Sequence, residues 1–225
     1  MRQYEMFEIR LMGEAPRGSE AAAAPEAVFT LNGKEKRVRG FYAGEGVYKV
    51  RFYPGEAGAC SWRIAPTLKD GGREISLSGA LEGTETCETA GSSSHGMVRV
   101  NGLHFACEDG TRYQPFGTTV YALIHQDRKL VDQTFETLAG APFNKIRFCV
   151  FPKHYDYNHN EPAYFAFEKT GDRFDVNRPC QVFWEELERR IGQLDEMGIQ
   201  GDLILFHPYD RWGFAQLTHE ECMTY

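Results

Sequence analysis

Apolar and polar residues alternate along the first third of the chain. The alternating apolar positions include Phe7, Ile9, Leu11, Tyr48, Val50 and Phe52. Successive side chains of a β-strand point to opposite faces, so the pattern predicts half-buried antiparallel strands from Tyr4 to about Leu81. Turn-forming residues separate these runs, and Asn32-Gly33 has the composition of a tight hairpin turn. Short strands at such spacing favour a β-sandwich.

The second half of the chain repeats a strand-helix-strand pattern. Strands are predicted over residues 115–124, 145–151 and 202–207, and helices after Asp127, near Pro179 and at about Thr218. The first two helices carry apolar stripes made of Leu130, Val131, Thr134, Phe135 and Leu138, and of Phe183, Leu187, Ile191 and Leu194. The third strand has a continuous apolar run, residues 203–206, which is typical of a strand covered on both faces. The whole pattern predicts a parallel β/α domain.

A flexible run, Gly91-Ser92-Ser93-Ser94, lies between the two patterns. We place the domain boundary there, with a first domain of residues 1–92 and a second of residues 93–225. The helix that starts at Thr218 has room for less than two turns before Tyr225. The second domain is therefore expected to be the opening part of a larger one.

The charge of the chain and its cysteines indicate which binding partners and which cellular compartment to expect. The 225 residues carry a formal charge of -7, which disfavours binding to nucleic acid and to anionic membranes. No apolar run has the length of a signal peptide or membrane span, so a cytoplasmic location is expected. The six cysteines stand far apart without zinc-type spacing and are expected to be buried thiols in a reducing compartment. No cofactor is expected.

Several long runs resemble one family of enzymes. PFGTTVYALIHQ, PFNKIRFCVFPKHYDYNHNEP and DLILFHPYDRWGF are similar to the opening of bacterial (β/α)8 glycoside hydrolases, whose relatives include apiosidase-like enzymes and the larger retaining-glycosidase clan. Upstream, GFYAGEGVYKVRFYPGEAGACSWRI resembles the immunoglobulin-like domain that precedes such barrels. The resemblance implies an N-terminal immunoglobulin-like β-sandwich followed by the first three βα units of an incomplete TIM (β/α)8 barrel, and a carbohydrate substrate.

Candidate site residues lie in or just after the C-terminal parts of the predicted strands, where the ligands of β/α domains gather. The resemblance places Arg147 and His207 near a nucleophilic carboxylate; the alternatives are a salt bridge for Arg147 and a strand-end hydrogen bond for His207. Trp212, with Tyr209 as a partner, can stack on a pyranose ring, with core packing as the alternative. Asp210 takes a binding or orienting role from the resemblance. Four further residues could line the same site at the strand ends or have a structural role: Thr119, Tyr121, His125 and Lys153.

Other chemistries have weak support. The run from Asp156 to Glu161 places oxygen-bearing side chains at alternate positions but lacks the glycine and the bidentate glutamate of a calcium loop, so no metal is expected. No His-Glu-x-x-His or Gly-x-Ser-x-Gly motif is present, which argues against a zinc hydrolase and a serine esterase.

The residues that would cleave a glycosidic bond are expected outside this chain. Glycoside hydrolysis needs two carboxyl groups, and in the family that these runs resemble they are glutamates after later strands. No catalytic residue is therefore assigned in this chain, and we expect the N-terminal portion of a glycoside hydrolase. One alternative is a non-catalytic carbohydrate-binding or scaffolding module completed by another chain. A second is a different, complete α/β enzyme with a small three-stranded sheet.

Overall fold

A computed structural model of the chain describes residues 1–156, 158 and 160–225. These residues form two compact units, Met1–Gln114 and Pro115–Tyr225. The domain boundary inferred from the sequence, between residues 92 and 93, stays a prediction.

The first unit is built from thirteen short strands in antiparallel sheets. They are β1 (Phe7–Met12), β2 (Glu26–Leu31), β3 (Lys34–Arg39), β4 (Phe41–Tyr42), β5 (Val47–Phe52), β6 (Gly58–Ile64), β7 (Thr67–Asp70), β8 (Arg73–Ser76), β9 (Ser78–Gly79), β10 (Glu82–Cys87), β11 (Val98–Asn101), β12 (His104–Cys107) and β13 (Arg112–Tyr113). Two sheets have four strands each, in the orders β4-β5-β1-β9 and β10-β6-β2-β3. The strands β11-β12-β13 and the pair β7-β8 form separate small sheets.

Alternating residues of the two four-stranded sheets form a shared core. Phe29 of β2 and Phe52 of β5 stack with ring centroids 4.2 Å apart, and Leu11, Tyr48 and Val50 are fully buried. The predicted hairpin turn is confirmed, because Asn32 and Gly33 both have positive φ between the paired strands β2 and β3. Glycine and asparagine tolerate that backbone conformation better than other residues.

The second unit contains a short parallel sheet of three strands, β14 (Gly117–Thr119), β15 (Lys145–Cys149) and β18 (Gln200–Ile204). An antiparallel pair, β16 (Phe167–Thr170) and β17 (Arg173–Pro179), lies between β15 and β18 in the chain. The helices are α1 (Arg128–Ala139), α2 (Gln181–Glu196) and α3 (His219–Thr224), with short 3-10 turns at Leu123–His125 and Phe214–Gln216. Ile146 and Phe148 of β15 are buried in one core with Leu138 of α1 and Leu187 of α2.

The helix starts follow the capping residues. The Asp127 carboxylate accepts the Leu130 N–H at 3.0 Å, and Thr218 forms a reciprocal capping box with Glu221, which confirms both predicted N-caps. The helix predicted near Pro179 is confirmed as α2, which starts at Gln181 after the N-cap Cys180, whereas Pro179 itself ends β17 and does not lie in the first helical turn.

The fold class inferred from the sequence is wrong. Among residues 1–156, 158 and 160–225, five of the six sheets are small and antiparallel, and only 18% is helical. Within the described residues, neither an immunoglobulin-like sandwich nor the βα units of a TIM barrel is evident, and parallel pairing is limited to strands of three to five residues. Sequence patterns report on neighbours along the chain, whereas the arrangement of sheets depends on pairing between distant segments.

Two further sequence predictions need correction or comment. Leu205 and Phe206 lie beyond the end of β18 and are about half exposed, so the apolar run 203–206 is not covered on both faces. The six cysteines are free thiols, of which Cys107 and Cys222 are only partly buried. In the described part of the chain, every helix is too short or too polar to cross a bilayer.

Candidate functional site

The carboxyl ends of the three parallel strands are tied together by backbone hydrogen bonds. The Cys149 N–H donates to the Tyr121 carbonyl at 2.9 Å, and the Val150 N–H donates to the Ile204 carbonyl at 3.1 Å. Farther out, the His154 N–H donates to the Tyr209 carbonyl at 2.9 Å. Segments from three distant parts of the sequence therefore lie side by side at this edge of the sheet.

A lysine surrounded by tyrosines lies at this edge. The Lys153 ammonium nitrogen is 3.5 Å from the ring centroid of Tyr121, 4.4 Å from that of Tyr209 and 5.3 Å from that of Tyr155. Tyr209 is 53% exposed and Tyr121 is 37% exposed. We call Lys153, Tyr121, Tyr155, Tyr209 and the adjacent His207 the strand-end cluster. It presents aromatic surface and one positive charge to solvent.

Side-chain amides hold the loop that carries Lys153. The buried Asn158 donates from Nδ2 to the Lys153 carbonyl at 3.2 Å and accepts from Gln126 Nε2 at 2.8 Å. Asn160 Nδ2 in turn donates to Gln126 Oε1. Neither Asn158 nor Tyr155 was assigned a site role from the sequence. A lone tyrosine or asparagine in a polar run carries no signal of its own.

His207 is fixed by the backbone on both sides of its ring. Nδ1 accepts the Tyr209 N–H at 3.3 Å, so the ring proton resides on Nε2, which donates to the Phe151 carbonyl at 3.0 Å. Burial lowers the pKa of His207, and together with the nearby Lys153 charge it outweighs the hydrogen bond to Phe151 and the Asp210 charge, which raise that pKa. His207 is therefore neutral near pH 7 and orients the loop, as in the strand-end alternative; its predicted contact with substrate stays a prediction.

Arg147 is paired with a carboxylate on the neighbouring strand. It stands opposite Asp202 in the parallel register, and its Nε and Nη2 lie 2.9 and 2.8 Å from Asp202 Oδ2. Lys145 contacts the same oxygen at 3.0 Å. Burial alone would raise the pKa of Asp202, but hydrogen bonds from the two cations outweigh it and lower that pKa. The exposed Thr119 lies opposite Arg147 on the other neighbouring strand.

Asp210 organises the loop after β18. Its carboxylate oxygens accept the backbone N–H groups of Trp212, Gly213 and Ala215 at 2.7 to 3.1 Å. With its oxygens occupied in this way, Asp210 shapes the turn that carries Tyr209, and its predicted binding or orienting role in substrate recognition stays a prediction.

Trp212 and His125 are more enclosed than the strand-end tyrosines. The half-buried Trp212 donates from Nε1 to Glu161 Oε2 at 2.7 Å, and Arg211 contacts the same carboxylate. His125 is 3% exposed, lies against Phe183 with centroids 5.9 Å apart, and contacts the Val150 carbonyl through Nε2 at 3.0 Å. Burial lowers the pKa of His125 to about 4. Their predicted roles in substrate binding stay predictions.

The described residues contain no group of three His, Cys, Asp or Glu side chains positioned for a metal ion. The run that faintly resembled a calcium loop, 156–161, includes Tyr157 and His159, which lie outside the described residues.

The chain is similar to a family model and to solved structures. Residues 1–66 match the family model of a domain of unknown function, DUF5060, and no curated protein matches. A crystal structure of a "putative glycoside hydrolase" from Bacteroides vulgatus ATCC 8482 is similar over 98% of this chain, with 38% sequence identity and a TM-score of 0.84. This chain spans 44% of that protein's length.

A family 39 glycoside hydrolase from the gut symbiont Bacteroides cellulosilyticus WH2 aligns with 87% of this chain and 31% of its own, at 12% identity and a TM-score of 0.22. A likeness of that size supports no conclusion about fold or function.

Proposed function

We propose that this chain is related to glycoside hydrolases and binds an oligo- or polysaccharide at the strand-end cluster. The observation that carries the proposal is the pair of exposed tyrosine rings, Tyr121 and Tyr209, placed around Lys153 at one edge of the parallel sheet. The similarity over 98% of the chain to a protein described as a "putative glycoside hydrolase" supports it.

Aromatic rings suit this ligand class for a physical reason. A tyrosine ring offers a flat apolar face and a hydroxyl group, and a sugar ring offers apolar C–H faces edged by hydroxyls. Stacking removes apolar surface from water while hydroxyl groups at the rim keep hydrogen-bond partners. Tyr209 is the better platform than Trp212, because Trp212 is half-buried and its Nε1 already donates to Glu161.

We assign a binding role rather than bond cleavage to these 225 residues. Glycoside hydrolysis uses two carboxyl groups, as acid and as nucleophile or base. Of the acidic side chains described above, Asp210 accepts backbone N–H groups and Glu161 is held by Trp212 and Arg211. In this proposal the catalytic glutamates belong to a longer protein, of which these residues supply part of the sugar-binding wall. The engaged carboxylates fit equally a non-catalytic binding or scaffolding module completed by another chain.

Calorimetry with oligosaccharides tests the binding role. The 225-residue protein is titrated with a panel of gluco-, galacto-, manno- and xylo-oligosaccharides. Tyr209→Ala should weaken binding about fivefold, since a lost aromatic contact is worth about 1 kcal/mol. Phe116→Ala is the matched control: Phe116 is 56% exposed and precedes β14, at the opposite end of the same sheet. It should leave the affinity unchanged.

Two results would count against the proposal. If no oligosaccharide binds, or if Tyr209→Ala and Phe116→Ala behave alike, the strand-end cluster is not the sugar site. Hydrolysis of aryl glycosides by the 225-residue protein that is lost in Asp210→Asn would contradict the assignment of a purely binding role.

A further inference from the structure

Lys153 differs from its cationic neighbours because no described carboxylate pairs with it. Arg147 is paired with Asp202, and Arg211 with Glu161. In the part of the chain that the structure describes, Lys153 makes no salt bridge and its ammonium contacts only the faces of three tyrosines.

The tyrosines hold the ammonium in place but leave its N–H groups without strong hydrogen-bond acceptors. The negative face of an aromatic ring attracts a cation, so three rings within 3.5 to 5.3 Å hold the Lys153 side chain in place. An ammonium has three N–H donors, and the faces of rings are weak acceptors compared with a carboxylate or a sulfate oxygen. A positioned and partly exposed ammonium is therefore ready to bind an anion.

Within the described residues, the groups around the Lys153 ammonium form no ion pair with it. His207, which lies close enough for the Lys153 charge to act on it, is neutral near pH 7. The Asp210 carboxylate is turned toward backbone N–H groups. The chain as a whole carries a charge of -7, so an anionic ligand needs a local positive group to approach.

We propose that Lys153 binds a singly charged anionic group on the sugar, so that the strand-end cluster selects an acidic saccharide over a neutral one. The proposal rests on the proposed sugar-binding function and adds the class of sugar. Because Tyr209 contacts both solvent and the ammonium, a sugar that packs on Tyr209 lies close to Lys153. The anionic group is the carboxylate of a uronic acid or a sulfate ester.

The test compares matched trisaccharides by calorimetry at low ionic strength. The probes are trigalacturonate, the same trisaccharide after reduction of its carboxyl groups, and a sulfated galactotriose. The wild-type protein should bind an acidic probe about tenfold more tightly than the neutral one, as expected for one partly exposed charge-assisted hydrogen bond. Added salt should reduce this preference. Whichever acidic probe binds more tightly identifies the anionic group.

Three variants separate charge from packing. Lys153→Met keeps an unbranched side chain against the rings but removes the charge, so the variant should bind acidic and neutral probes with equal affinity. Lys153→Arg should retain the preference. Lys169→Met is the matched control, because Lys169 also lies over two aromatic rings but donates to the Trp212 carbonyl at 3.0 Å. It should leave the preference intact.

The possible failures are distinguishable. Equal affinity for acidic and neutral probes, weakened in both cases by Tyr209→Ala, would overturn the role of Lys153 and leave sugar binding in place. A preference that survives in Lys153→Met would also overturn it. If neither these probes nor the neutral oligosaccharide panel binds, both proposals fail.

Discussion

The buried imidazole of His125 makes a quantitative prediction about stability and pH. Its ring is 3% exposed, and burial lowers its pKa from 6.5 to about 4 in the folded protein. Between these two values the unfolded chain binds a proton that the folded chain does not. Stability from this group is therefore fully present above about pH 6.5 and is lost as the pH falls toward 4.

The size of the effect follows from the two pKa values. Each tenfold difference in proton affinity corresponds to about 1.4 kcal/mol, so the difference between 6.5 and about 4 amounts to about 3 kcal/mol. The ring cannot relieve this cost locally. Its Nε2 already donates to the Val150 carbonyl, and in the described structure Nδ1 has no partner that could accept a new proton.

Urea unfolding at a series of pH values, followed by tryptophan fluorescence, measures this loss. The matched variant is His125→Gln, which keeps an N–H donor for the Val150 carbonyl but does not titrate. From about pH 7 to about pH 4.5 the wild-type protein should lose about 2 to 3 kcal/mol more than the variant. Carboxylates with lowered pKa, such as Asp202, act at still lower pH and in both proteins. Parallel curves for the two proteins would refute the buried, neutral state of His125.

Two further predictions concern a buried arginine and the N-cap of a helix. Arg190 is 2% exposed and its guanidinium contacts Asp132 at 3.0 Å, so Arg190→Ala should lower the free energy of unfolding in urea by about 2 to 3 kcal/mol. Arg189→Ala, on the exposed face of the same helix, should lower it by less than about 0.5 kcal/mol. Equal effects of the two substitutions would contradict the role of burial. Asp127→Ala removes the acceptor of the Leu130 N–H and should cost about 1 kcal/mol, whereas Asp127→Asn should cost much less; a neutral alanine variant would contradict the N-cap.

Helix starts and a tight turn could be predicted because each depends on residues that are adjacent in the sequence. Asp127 and Thr218 cap helices through N–H groups three residues ahead, and Asn32-Gly33 adopts the positive φ values that its composition favours. In each case the residues that decide the conformation are adjacent in the sequence.

The fold class could not be predicted in the same way. Alternation indicated strands correctly in many places, but how strands join into sheets is decided by pairs far apart in the chain. The hairpin of β16 and β17, over residues 167–179, was not expected at all. Its strands have four and seven residues, and Pro179, near which a helix was predicted to start, is the last residue of β17.

At the candidate site, the positions of the residues could be predicted from the sequence but their contacts could not. Tyr121, Lys153 and Tyr209 were each assigned to the C-terminal ends of predicted strands, but nothing in the sequence places the ammonium within 4.4 Å of both of those rings. The partner of Arg147 was equally hidden, because Asp202 stands opposite it only through the register of two parallel strands.

The most direct test of a sugar-binding strand-end cluster is NMR of the protein with labelled tyrosine rings during titration with the tightest-binding oligosaccharide. The ring signals of Tyr121, Tyr155 and Tyr209 should shift with a common saturation curve, while those of Tyr42 and Tyr48, buried in the first unit, should not. Saturable binding that leaves the Tyr209 signal unmoved would contradict the account.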